Sequence, residues 1–256
     1  LAGGTVNVTS GSGAPIASSA TGASAFNNAG TLNWGDGTGA TRNISTISAF
    51  NNSGTVNVND GLSITIGGSD TGVYDVDAGK TLNFTGGTRT LGASSDITGA
   101  GTISASGATL TVNGSFGIAA TGSLSVTSGT LNLDTVGTAL SLANPLMVSG
   151  GTLNATDDLS VAALNWSGSS TLTGSGLLTT TGVSTLSGIN EAGGVGGIQA
   201  TAHNLTDKTW NNTGTVNLTG GRLNVSDTAA AGVAVFNNLA GGTVNVTSGS
   251  GAPIAS

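Results

Sequence analysis

Residues 239–256 repeat residues 1–18 letter for letter, eighteen consecutive positions at an offset of 238. Independent repeats drift apart, so an identical run of this length points to recent tandem duplication of a unit of that size. The chain therefore reads as just over one period of a longer array: residues 1–238 form one unit and residues 239–256 begin the next. Phe236-Asn237-Asn238 leads into the second copy as the residues preceding Leu1 should lead into the first. On this reading the sequence opens in mid-motif, and no signal peptide, anchor or terminal cap is expected within it.

Inside that period a smaller unit recurs, Gly-Thr (Lys80-Thr81 in one case) followed by apolar, Asn, apolar. It appears at Thr5-Val6-Asn7-Val8, Thr31-Leu32-Asn33-Trp34, Thr55-Val56-Asn57-Val58, Thr81-Leu82-Asn83-Phe84, Thr130-Leu131-Asn132-Leu133 and Thr215-Val216-Asn217-Leu218. This is the period of two of a half-buried strand, with Val6 and Val8 on one face and Thr5 and Asn7 on the other. Pairs such as Gly67-Gly68, Gly86-Gly87, Ser106-Gly107, Asn113-Gly114 and Gly150-Gly151 break the runs, where positive φ costs little. Apolar positions recur after seven residues in Ile103 to Leu110, Leu124 to Leu131 and Val216 to Leu223, and at wider steps along Val6, Leu32, Val56 and Leu82. Three short strands per coil fit the 20–29 residue units of solenoids better than the hairpin spacing of a sandwich. The expected fold is all-β, a parallel β-helix of about ten or eleven coils per period, with essentially no α-helix.

A second motif overlies the first: an aromatic and two asparagines before the Gly-Thr signal, at Phe26-Asn27-Asn28, Phe50-Asn51-Asn52, Trp210-Asn211-Asn212 and Phe236-Asn237-Asn238. At equivalent positions of successive coils the aromatics are expected to stack inside and the amides to form ladders. Ala143 to Met147, around Pro145, and Ile189 to Trp210 depart from the rhythm and are expected to loop out of the coil. One coil cannot bury its apolar side alone, so each is expected to depend on a neighbour above and below.

Composition narrows the classes of function. A chain with 45 Gly and only 7% charged residues resembles a disordered linker, but 37% hydrophobic residues and a mean hydropathy of +0.21 require burial. No apolar run reaches the roughly 18 residues of a membrane span. Net charge is −7, and the five cations Arg42, Lys80, Arg89, Lys208 and Arg222 are scattered singly, which argues against nucleic acid and against an anionic membrane surface. Few charge pairs also lead us to expect a stability that responds little to salt or to moderate changes of pH. The absence of cysteine removes disulfides, thiolate catalysis and cysteine zinc sites.

Polysaccharide cleavage needs clustered carboxylates and usually a cation beside them. The candidates are Asp157-Asp158, the trio Asp70, Asp75 and Asp77, and the pair His203 and Asp207, His203 being the one histidine. No nucleophile elbow accompanies that histidine. Asp75-x-Asp77 brings oxygen ligands together, but the repeated Gly-Gly-x-Gly-x-Asp nonapeptide of calcium-binding β-rolls is missing. These acids read as turn residues, and we assign no catalytic, cofactor-binding or metal residue. Sequons at Asn7, Asn43, Asn83 and Asn165 follow from a composition dominated by Asn and Thr.

The aromatic-Asn-Asn…Gly-Thr-Val-Asn-Val units resemble the β-strand-repeat exoproteins of bacteria, the filamentous haemagglutinin-like and autotransporter-passenger group. So do Ile97-Thr98-Gly99-Ala100-Gly101-Thr102-Ile103 and Leu164-Asn165-Trp166-Ser167-Gly168 leading to Leu172-Thr173-Gly174-Ser175-Gly176. The resemblance covers nearly the whole chain. It implies a right-handed parallel β-helix, export to the bacterial cell surface, and a part in adhesion, aggregation or biofilm. The partners expected are neighbouring repeats of the same chain, other copies of the fibre, host or bacterial surfaces, and glycans, with no cofactor. The alternatives are a carbohydrate-active β-helix enzyme, lyase or hydrolase, and a sheath or surface-layer component.

Overall fold

A computed structural model describes residues 3–19, 22–118, 122–135, 139–191, 199–227 and 232–256. The fold is an all-β solenoid of parallel, stacked coils, with about nine turns and no helix among the described residues. Ten or eleven turns were expected; the coils are less even than the sequence spacing implies. Equivalent side chains lie 18 residues apart at Asn59 and Asp77, 26 apart at Asn7 and Asn33, and 32 apart at Thr180 and Asn212. The chain divides into two compact units, Leu1–Ser125 with Gly129–Val136, and Val126–Ser128 with Gly137–Ser256.

In the first unit three columns of parallel strands run along the stack. One contains Thr5–Val8, Thr31–Trp34, Thr55–Val58, Val73–Val76, Asp96–Gly99 and Ser115–Ile118. A second contains Arg42–Ile44, Leu62–Ile64, Thr81–Phe84 and the first half of Thr102–Val112. The third contains Ala25–Asn28, Ala49–Asn52, Gly68–Asp70, Thr88–Leu91 and the second half of Thr102–Val112. The second unit repeats the plan. Leu140–Leu142, Leu159–Val161, Leu178–Thr180, Thr209–Asn212 and Val235–Asn238 form one column. Leu146–Val148, Leu164–Trp166, Val183–Leu186, Thr215–Leu218 and Thr243–Val246 form another. Gly151–Ala155, Ser170–Thr173, Ala202–Thr206, Arg222–Ser226 and Ile254–Ala255 form the last.

The Gly-Thr signal works by alternation and by close approach. Leu32, Trp34, Val56 and Val58 are buried while their Thr and Asn neighbours lie at the surface. The glycine before the threonine is needed because coils touch there. A Cβ on Gly30 would stand 2.0 Å from the Gly4 carbonyl oxygen, one on Gly54 2.0 Å from that of Gly30, and one on Gly72 2.1 Å from that of Gly54. Turn geometry accounts for only some of the other glycine pairs: Gly87, Gly107 and Gly151 have positive φ, whereas Gly67, Gly68, Gly86, Gly114 and Gly150 do not.

The two expected departures are narrower than the sequence suggests. Pro145 ends a turn and the strand Leu146–Val148 follows at once, with Leu146 buried and its N–H donated to the Ala163 carbonyl. Downstream, Ala202–Thr206 and Thr209–Asn212 are strands of the coil, so His203 and Trp210 lie in the core. The remaining excursion falls between the strands Val183–Leu186 and Ala202–Thr206; its glycine-rich residues 192–198 lie outside the described residues.

Candidate functional surface and buried charges

The outer faces of the strands carry ordered amide columns. Asn33 donates Nδ2 to Asn7 Oδ1 at 2.7 Å, and Asn57 donates to Asn33 at 2.7 Å. The same direction holds for Asn51 to Asn27 (2.8 Å), Asn237 to Asn211 (2.9 Å), Asn224 to Asn204 (2.9 Å) and Asn245 to Asn217 (2.8 Å). In the adjacent column the polarity reverses: Asn28 donates to Asn52 and Asn212 to Asn238, both at 2.8 Å. Each amide thus donates to one neighbouring coil and can accept from the other, so register is fixed by side chains as well as backbone. Inside, the expected aromatic contacts are present. Ring centroids are 5.9 Å apart for Phe26 and Phe50 and 4.8 Å apart for Trp210 and Phe236.

The acidic candidates do not converge. Asp70 is buried, whereas Asp75 and Asp77 are exposed on the outer side of the coil, accepting bonds from Thr98 and Asn59. His203 is fully buried against Trp166, with centroids 5.3 Å apart; its Nε2 lies 3.4 Å from the Gly220 carbonyl and its Nδ1 has no partner. Burial lowers its pKa, so it resists protonation in the folded chain. Asp207 follows the last residue of that strand and has a φ of 50°. Asp157 and Asp158 line a shallow cleft with Ala139 and Thr156, and Asp158 accepts the Leu177 N–H at 2.8 Å. Among the described residues no group of three or more His, Asp or Glu side chains comes together.

Sequence reading missed where the charges go. Four of the five cations are ion-paired: Arg42 with Asp36, Lys80 with Asp60 at 2.9 Å, Arg89 with Asp70 at 2.5 Å and Arg222 with Glu191 at 2.6 Å. Asp60 is buried and accepts the N–H groups of Asp36, Gly37 and Gly39 at 2.9–3.0 Å besides the Lys80 ammonium. That bond to Lys80, with the loop amides, holds its pKa below the usual carboxylate range. The alternating glycines Gly35, Gly37 and Gly39, all at positive φ, let the loop fold its amides around one carboxylate. Their spacing was the readable signal, since such a run suits a nest of converging N–H groups.

Arg89 is enclosed between aromatic rings, its guanidinium 5.4 Å from the Phe50 centroid and 5.9 Å from that of Phe84. It also donates to the Phe50 carbonyl at 2.9 Å. Gly68, its register partner, leaves the space; a Cβ there would stand 1.9 Å from the Phe50 carbonyl oxygen and 2.8 Å from the guanidinium. Burial pushes the Asp70 carboxyl upward against the opposing pull of Arg89. The fifth cation, Lys208, is buried without an acid in contact. Its ammonium donates to the carbonyls of Gly176 (2.8 Å), Ala155 (3.1 Å) and Gly174 (3.5 Å), and burial lowers its pKa to about 8. These placements bear on the expectation that stability responds little to moderate changes of pH, because burial shifts the pKa values of Asp70, His203 and Lys208. The charges are few, but Arg42, Arg89 and Lys208 among the cations and Asp60 and Asp70 among the acids are buried, where desolvation makes their ionisation part of folding.

Compared with known proteins, the chain matches no family model, no curated protein and no solved structure.

Proposed function

We propose that the chain is a non-catalytic segment of a secreted, tandemly repeated fibre at a bacterial cell surface, acting in adhesion, aggregation or biofilm formation. The observation that carries the reading is the eighteen-residue identity between the beginning and end of a 238-residue period. Both copies contribute their Thr-Val-Asn-Val strand to a parallel ladder, Thr5–Val8 on Thr31–Trp34 and Thr243–Val246 on Thr215–Leu218. Duplication of a solenoid unit lengthens a fibre at little structural risk, because each new coil meets an interface already in use. The columns of Thr and Asn present a regular polar surface to other cells, to glycans or to copies of the fibre. Deleting the encoding gene is expected to abolish surface filaments and reduce attachment and aggregation; if all three survive, the reading fails.

The cleft at Asp157 and Asp158 keeps one alternative in view, a carbohydrate-active enzyme. Lys208 lies close enough to Asp158 to feel its charge, but its ammonium is committed to backbone carbonyls. Polysaccharide turnover that disappears in Asp157→Ala or Asp158→Ala would favour the enzyme over the fibre.

A further inference from the structure

The side chains most open to oxidation are withdrawn from the surface of this chain, with one exception. Cysteine is absent, and the three tryptophans, the one tyrosine and the one histidine are buried: Trp34, Trp166, Trp210, Tyr74 and His203 are all inaccessible. The exception is the one methionine, Met147, which is 45% exposed. It is the middle residue of the strand Leu146–Val148, whose outer two residues are buried, so its thioether stands on the outer face of the coil. Its place in the column is that of a ladder amide. Met147 is the register partner of Asn165 and Asn165 of Thr185, and the same row continues through Asn217 and Asn245. Asn245 donates Nδ2 to Asn217 Oδ1 at 2.8 Å, and Asn165 donates in the same direction along the stack, to Met147 Sδ at 3.5 Å. Where one amide finds a carbonyl oxygen the other finds a thioether, which is a weak acceptor.

We propose that Met147 is an oxidation site, at which a hydroperoxide converts the thioether to a sulfoxide, and that the product completes the amide row instead of disrupting the coil. A lone pair on sulfur attacks one peroxide oxygen; the O–O bond breaks, an S–O bond forms, and hydrogen peroxide leaves as water. The sulfur gives up two electrons and the peroxide takes them. Inside a core this change is disruptive, because it puts a polar, chiral group among apolar ones. At Met147 the sulfur is outside and already faces a donor. The sulfoxide oxygen bears most of the negative charge of the S–O bond, so it accepts a hydrogen bond as an amide oxygen does. The unbranched side chain, with its three rotatable bonds, lets that oxygen meet the Asn165 amide without moving the backbone. Sulfoxide reductases return the product to the thioether, so an exposed site of this kind is reversible. Oxidant that reaches the folded chain is thereby directed to the one oxidisable side chain whose modification the coil accommodates. This chemistry is independent of any adhesive role, and its failure would leave the gene-deletion experiment standing.

Hydrogen peroxide, at a dose that oxidises free methionine, is expected to add one oxygen atom to the folded 256-residue chain, and peptide mass mapping should place it on Met147. The oxidised chain should melt about 1–3 °C above the untreated one, the effect of one modest surface hydrogen bond in a chain of this length. Two variants separate that bond from a general effect of peroxide. Asn165→Ala should gain the oxygen but show no rise in melting temperature, and Met147→Leu should gain neither. In the natural chain the side-chain amide protons of Asn165 should move downfield on oxidation, a readout that does not depend on the stability of any variant. No oxygen at Met147, a melting temperature unchanged or lowered by oxidation, an equal rise in Asn165→Ala, or an unshifted Asn165 amide would overturn the proposal.

Discussion

The tetrapeptide Thr-Val-Asn-Val occurs in the interior of the stack at Thr55–Val58 and at an open edge at Thr243–Val246, and the two are not equivalent. In the interior both valines are inaccessible; at the edge Val246 is 44% exposed. The sequence and strand conformation are the same, and the difference is a coil on the second side. Thr5–Val8 shows the complementary case, Val8 being 7% exposed and Val6 43%. Burial in this protein is therefore a property of stacking, which explains why neither the valines nor the asparagines reveal their worth one coil at a time.

The largest expected contrast lies in the aromatic column. Ala25–Asn28 and Ala49–Asn52 have the same sequence, yet Phe50 is fully buried and Phe26 only partly. Phe50→Ala should cost about 3–5 kcal/mol of unfolding free energy. Phe26→Ala should cost about half of that or less, because its ring is only part-buried. Equal losses in urea melts would show that stacking is not what buries them.

Next comes the contrast between a paired and an unpaired interior cation. Arg89 has Asp70, whereas Lys208 has only carbonyl oxygens in contact. The folded pKa of Lys208, about 8, lies below its ordinary value of 10.5. Between those values the unfolded chain holds the proton and the folded chain releases it, so stability rises with pH through that window. The full gain is at most about 3 kcal/mol. Urea midpoints measured from pH 7.5 to 9.5 should increase in the natural chain and stay flatter in Lys208→Met. Tyr74, whose burial raises its pKa well above 10, is common to both and does not disturb the difference. Identical slopes would place Lys208 in contact with water.

A smaller effect sharpens the opening comparison within one unit. Val56→Ala, in the interior, should cost about 2 kcal/mol. Val6→Ala, the same residue of the same tetrapeptide at the edge, should cost under about 0.5 kcal/mol.

The strand pattern was legible because period-two alternation and the Gly-Thr signal are local, and each such tetrapeptide lies in a strand. The amide ladders were legible because aromatic-Asn-Asn recurs at coil spacing. The interior charges were not. Arg89 sits inside because Gly68 and two aromatic rings on neighbouring coils make room for it, and Lys208 because three carbonyls from distant positions converge on it. Neither condition is visible within a window of sequence around the residue. Asp60 was the intermediate case: its partners lie in a glycine-alternating loop that could have been read as a nest, but nothing local names the carboxylate that fills it.

Amide hydrogen exchange on the 256-residue chain tests the stacking account most directly, because the three Thr-Val-Asn-Val copies share one sequence and nearly one intrinsic rate. The N–H groups of Val56 and Val58 face the strand Val73–Val76, whereas those of Val244 and Val246 face the open edge. The account predicts strong protection at Val56 and Val58 and exchange near the unfolded rate at Val244 and Val246, with Thr243 and Asn245, which face Thr215–Leu218, protected. Uniform protection along Thr243–Val246, or exchange at Val56 as fast as at Val244, would contradict it.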